Sequence, residues 1–240
     1  MSWLLTFSRS TVGAKAIMAL TGAAMYGFLI VHMAGNLLVF SGTPELHNHH
    51  SVFLHSFPEL IWPARAGLLL AIVAHIFSWV NLRMRSSAAR PVAYKVKQSR
   101  ASTLYSRTMQ LSGPVILVFV VVHLLNLTSG NIHPGFRMQG AAGAALPVGV
   151  PGAAEAFGSP AAYENTVALL SQPLWGVFYI VANLLLGLHL FHGGYAMCRT
   201  LGLSGERQQG LAKLLASGVT ALIVGGNVAI AAAILLGLVK

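Results

Sequence analysis

Charge is scarce in this chain. Of its 240 residues only 8% are Asp, Glu, Lys or Arg, and just five are acidic; a typical soluble domain carries roughly 25% charged residues. That deficit excludes an ordinary water-covered fold. Cys198 is the sole cysteine, so no internal disulfide can form and no paired-cysteine attachment motif exists. A glycine-rich nucleotide-binding motif is also missing.

Apolar residues take the place of charge. They make up 55% of the chain, and the mean hydropathy is +0.70. Five runs, at about 16–40, 61–82, 109–127, 173–198 and 214–239, are each near the ~20 residues that cross a ~30 Å hydrocarbon core. Strict two-residue alternation is absent, and lipid leaves no other way to satisfy the backbone, so helices are the expected spanning form. The first run is too long for a signal-peptide core and no small-residue cleavage site follows it, so it is read as retained. The expectation is an all-α integral membrane protein, a single domain over 1–240, with five spans.

The basic residues have a topological pattern. Arg83, Arg85, Arg90, Lys95, Lys97, Arg100 and Arg107 lie between the second and third runs. Arg9 and Lys15 precede the first run, and Arg199, Arg207 and Lys213 separate the fourth from the fifth. Only Arg65, Arg137 and Lys240 are left for the other face. The positive-inside rule then places the N-terminus in the cytoplasm and the C-terminus outside. The same basic loop offers a docking surface to a soluble partner.

Two connections lie on the outer side. The first, 41–60, carries His47, His49, His50 and His55; without supporting carboxylate or cysteine spacing it reads as a solvated or interfacial loop rather than a metal site. The second, 128–172, is rich in Ala, Gly and Pro and reads as a flexible cover with a short helix near 163–170.

Ionisable residues inside membrane helices are costly and point to function. The first span holds His32, the second His75, the third His123, and the fourth His189 and His192; the fifth has none. No carboxylate lies within these five runs. At ~1.5 Å per residue, His32 lies about 25 Å beyond Lys15, and His123 about 21 Å beyond Met109, both on outward-running helices. His75 is about 12 Å short of Arg83 and His189 about 15 Å short of Arg199, on inward-running ones. The histidines sort by depth into an outer pair, His32 with His123, and an inner pair, His75 with His189. His192, three residues from His189, competes for the same role. Facing imidazoles in a four-helix bundle suit axial ligation of an iron porphyrin. The small residues Gly35, Ala71, Gly193 and Gly194 are expected to leave room for the ring.

The stretches Phe28-Leu-Ile-Val-His32-Met-Ala-Gly-Asn36, Ile72-Val-Ala-His75, Gln110-Leu-Ser-Gly113 followed by His123, and His189-Leu-Phe-His-Gly193 resemble the dihaem cytochrome b subunit of succinate dehydrogenases and fumarate reductases. The single-subunit, five-helix type is the one resembled, over nearly the whole chain. The resemblance implies two non-covalent b haems, the outer on His32 and His123 and the inner on His75 and His189. It favours His189 over His192, because Gly193 and later Gly202 follow the ligand as in that family. It also implies a bacterial cytoplasmic membrane location and a respiratory role. The implied partners are a flavoprotein and an iron–sulfur protein on the cytoplasmic side, with quinone, menaquinone in this case, as the membrane substrate.

The family pattern is not complete. Some of these fumarate reductases carry a proton-transferring glutamate inside the fourth helix, where this chain has Gly187 or a neighbour. Others use a glutamate after the first helix at an outer quinone site; Glu59 is the candidate here, and Glu45 competes. Two other readings stay open: a dihaem subunit of a formate dehydrogenase or hydrogenase, and a haem-free transporter relaying protons through histidines.

Overall fold

The computed structural model describes residues 2–90, 92, 103–139, 145–147, 160–203 and 205–240. Lys95, Lys97 and Arg100 of the basic loop, and most of 140–159, lie outside the described residues.

A short helix, α1 (Ser2–Arg9), turns sharply into α2 (Thr11–Asn36). Ser10 makes the corner: its Oγ accepts from Gly13 N at 2.9 Å and donates to the Phe7 carbonyl at 2.7 Å. A Cβ at Gly13 would come within 1.8 Å of the Phe7 oxygen, so the close approach of α1 to α2 requires glycine there. A 3-10 turn (Leu37–Ser41) extends α2 and ends at Gly42, whose φ of 84° is left-handed.

Next come α3 (Pro44–His55) and α4 (Pro58–Ala88). The region expected to be a loop over 41–60 is therefore largely helical. Thr43, Pro44 and Glu45 supply an N-cap residue type, a proline at the first helical position and a first-turn acid, which together favour a helix start. α5 (Leu104–His123) starts at Thr103, whose hydroxyl accepts from Ser106 N, and runs into a π-helical turn (Leu124–Thr128). A small antiparallel hairpin follows, β1 (Arg137–Gln139) with β2 (Ala145–Pro147), then α6 (Ala162–Leu170), near the short helix expected at 163–170. The chain closes with α7 (Pro173–Thr200) and α8 (Glu206–Leu235).

Among the described residues, five helices are long and apolar enough to cross a membrane: Thr11–Ser41, Pro58–Ala88, Leu104–Thr128, Pro173–Thr200 and Glu206–Leu235. The first four extend beyond the expected runs at one end or both, because polar and charged residues continue the helices past the apolar stretch. The fifth starts eight residues earlier than expected and stops at Leu235 instead of 239, where Gly237 takes a φ of 71°.

The packing order is not the chain order. α2 packs on α4, α7 and α8, and α7 packs on α5 and α8. Around the bundle the sequence is therefore α4–α2–α7–α5, with α8 against α2 and α7. α2 and α5 form one diagonal, α4 and α7 the other. Tyr26 ties α2 to α8, its hydroxyl meeting Thr220 Oγ1 at 3.0 Å and the Ala216 carbonyl at 3.2 Å.

One end of the bundle is capped by α3, α6 and the hairpin. The cap is stitched by buried polar groups. Asn48 donates to Glu164 Oε2 at 2.9 Å and accepts from Tyr163 N at 3.0 Å. Asn165 exchanges two 2.8 Å bonds with the Arg137 backbone, and His133 Nε2 meets the Asn165 carbonyl at 2.8 Å. Under them a core of Val39, Leu169, Leu170, Tyr179, Ile230 and Ile234 is buried. The described parts of the cover are thus a hydrogen-bonded lid, not a loose wrap.

Candidate functional site

The two bundle diagonals carry the four single-span histidines. His32 of α2 and His123 of α5 meet near the capped end with ring centroids 5.7 Å apart and planes at 88°. His75 of α4 and His189 of α7 meet nearer the other end, centroids 6.5 Å apart and planes at 56°. The structure brings each histidine to the partner of matching depth and does not mix the pairs.

Each pair has its own surroundings. His75 Nδ1 lies 3.1 Å from the Met18 carbonyl and 3.2 Å from Thr21 Oγ1. A carbonyl only accepts, so His75 Nδ1 carries the proton. Thr21 Oγ1 in turn lies 2.7 Å from the Ile17 carbonyl. His189 Nδ1 lies 3.3 Å from Ser112 Oγ. His123 Nδ1 faces the Tyr179 hydroxyl at 3.5 Å, and the ring sits among Phe119 and Tyr179. His32 stacks on Phe28 at 5.2 Å. Among the described residues, Nε2 of all four makes no hydrogen bond.

His192 behaves differently. It follows His189 by three residues on α7, yet among the described residues it makes neither a ring contact nor a hydrogen bond.

Two of the small residues expected to leave room, Gly35 and Gly194, meet other side chains instead. A Cβ on Gly35 would come within 2.8 Å of His50 Nε2, so Gly35 makes room for His50. Gly194 packs against Ala216 and Tyr26, whereas a Cβ on Gly193 would meet open space. The glycines beside the paired rings are Gly22, where a Cβ would lie 3.5 Å from His75, and Gly113, where it would lie 3.9 Å from His189. Gly22 stands out in the sequence by nothing except its position opposite His75. A Cβ on Gly187 would come within 2.9 Å of Val224 on α8, so that position serves helix packing.

The loop histidines are spread over α3. His47 is buried, with its Nδ1 unpartnered and its ring against Tyr163 at 6.4 Å. Burial, then His50 and His32, push its pKa down to about 4. His55 donates from Nδ1 to the Ser51 carbonyl at 2.8 Å. No group of three or more metal-binding side chains converges among the described residues. Glu45 and Glu59 are both exposed, in the first turns of α3 and α4.

No protein-family model matches this chain, and neither does any curated protein or solved structure. The class defined by fold and site is that of a multi-span helical protein with two histidine pairs across its bundle.

Proposed function

We propose that this chain is the membrane anchor and electron-transfer subunit of a succinate:quinone oxidoreductase, with a haem-binding four-helix bundle and a cytoplasmic N-terminus. By this reading two b haems, when bound, would link an iron–sulfur partner to quinone, specifically menaquinone, in a bacterial cytoplasmic membrane. The flavoprotein partner carries the succinate or fumarate site.

One observation carries the reading: two histidine pairs, each spanning a different diagonal at a different depth. An imidazole nitrogen stands ~2 Å from a bound transition metal, so two imidazoles that would share one ion need ring centres about 6 Å apart. The observed 5.7 and 6.5 Å fit that requirement. Metal-binding histidines also tend to engage the other ring nitrogen with a fixed partner. Met18 with Thr21, Ser112 and Tyr179 do so for three of the four.

When bound, haem supplies one-electron chemistry, and two of them divide the ~30 Å barrier into shorter hops. The chain's own residues position and insulate. His32 and His123 would hold one iron and His75 and His189 the other. The Met18 carbonyl and Thr21 keep the His75 proton on Nδ1, which leaves Nε2 as the ligand atom. Phe28, Phe119 and Tyr179 line the outer pair with rings that exclude water. Glu59, at the outer end of α4, is the proposed acceptor of a quinol proton, since the span interiors contain no carboxylate.

Pyridine haemochrome quantification, with identification of the subunits that co-purify, tests the proposal. Two non-covalent b haems per chain and a flavoprotein with an iron–sulfur partner are expected. A haem-free preparation, or a formate dehydrogenase or hydrogenase as the partner, would overturn it.

A further inference from the structure

A cavity of about 270 Å³ opens at the capped end between the start of α4 and the end of α5. His55, Trp62, Arg65 and Thr128 line it, under Met138 and Pro160 of the lid. Among the described residues of this lining, Arg65 carries the one full charge.

The arginine is held in place by neutral groups. Since His55 Nδ1 donates to the Ser51 carbonyl, its Nε2 accepts, and Arg65 Nη2 donates to it at 3.1 Å. The guanidinium also sits 5.1 Å from the Trp62 ring centre. Neither partner neutralises the charge, and no carboxylate pairs with Arg65 among the described residues. Four of its five N–H donors remain for another acceptor.

Depth indicates which anion reaches it. α4 has 31 residues, about 46 Å at 1.5 Å each, so a ~30 Å hydrocarbon core leaves about 8 Å at either end. Arg65 is seven residues past Pro58, about 10 Å from the helix start, at that boundary. The neighbouring Trp62 and Leu60 are 64% and 70% exposed, as an aromatic interface belt and a lipid-facing flank are.

We propose that Arg65, oriented by His55 and Trp62, binds the phosphate of an anionic membrane phospholipid whose acyl chains run along α4. A rigid planar fork suits bidentate contact with phosphate oxygens, and Thr128 also lines the cavity. The site does not depend on the haem reading.

Native mass spectrometry of the full chain in mild detergent, given phosphatidylglycerol or phosphatidylcholine, tests this. One phosphatidylglycerol is expected to be retained in preference to phosphatidylcholine. Arg65→Gln should weaken retention by roughly tenfold or more. Arg65→Lys, which keeps the charge but not the fork, and His55→Ala should fall between. Arg9→Gln, at the other end of the bundle, should match the unaltered protein. Equal retention in Arg65→Gln, or no preference between the lipids, overturns the proposal. So does an Arg65→Gln protein that keeps the lipid but loses haem absorbance, since the anion would then be a haem carboxylate.

Discussion

His75 and His189 face one another across the α4–α7 diagonal with ring centres 6.5 Å apart, and each Nδ1 is engaged by residues of a neighbouring helix. His32 and His123 repeat the relationship on the α2–α5 diagonal. Two separate sites, not one four-histidine cluster, follow from this geometry.

On the proposed function, replacing His75 or His189 by Ala should remove one and the same haem, and replacing His32 or His123 the other. Ligands to one iron must share a depth, and an axial nitrogen cannot reach a ring a helical turn away. His192→Ala should keep both haems. Reduced-minus-oxidised spectra and redox titrations of the five variants read the result. Loss of one haem shared by His75→Ala and His123→Ala contradicts the pairing.

The hydrogen-bond partners predict an asymmetry within the inner pair. Ser112→Ala leaves His189 Nδ1 without its contact, whereas Thr21→Ala leaves His75 Nδ1 still on the Met18 carbonyl. Loss of such a partner typically costs ~10–100-fold in metal affinity. Haem retention on dilution or challenge with apomyoglobin should fall clearly in Ser112→Ala and little in Thr21→Ala. Equal losses count against a supporting role for Ser112.

Gly13→Ala should dislodge α1. The new methyl would meet the Phe7 carbonyl at 1.8 Å, a backbone atom that cannot swing aside as a side chain can. Strain of this kind typically costs ~1–3 kcal/mol. Hydrogen exchange over 2–9 should accelerate while the α7–α8 seam stays protected. Unchanged exchange in α1 would show that the corner relaxes without cost.

His47 makes the lid sensitive to acid. Its folded pKa is about 4, pushed down by burial first and then by His50 and His32, while an unfolded histidine titrates near 6.5. Between those values the unfolded chain binds more protons, so His47 costs stability as pH falls from about 6.5 to about 4, and no further below that. The loss amounts to about 3 kcal/mol at most. Thermal unfolding in detergent at pH 7.5, 6 and 5 should show a decline that His47→Gln reduces. An identical slope in that variant rules His47 out as the cause.

Glu59→Gln should slow quinol-linked turnover without loss of either haem, since a positioned carboxylate typically contributes ~10²–10⁴-fold as a general base. Glu59 sits exposed in the first turn of α4 and does not line the cavity beside Arg65. Unchanged quinol kinetics would move attention to Glu45 or to the opposite end of the bundle.

The amino-acid sequence by itself determined the five long apolar helices and the relative depths of their histidines. Apolar length and a fixed rise per residue are local properties, readable without knowing any neighbour. The start of α3 was also written there, in Thr43, Pro44 and Glu45, but four clustered histidines in a polar stretch resemble a loop. Tertiary structure alone decided which helices are adjacent and which diagonal. It also decided that Gly22 and Gly113, not Gly35, lie beside the histidine rings, and that Arg65 meets His55 and Trp62 at a cavity wall. Those outcomes depend on how five nearly all-round apolar helices rotate about their axes. A helix without a strong polar face carries little information in its own residues about which side will turn inward; contacts with its neighbours settle that.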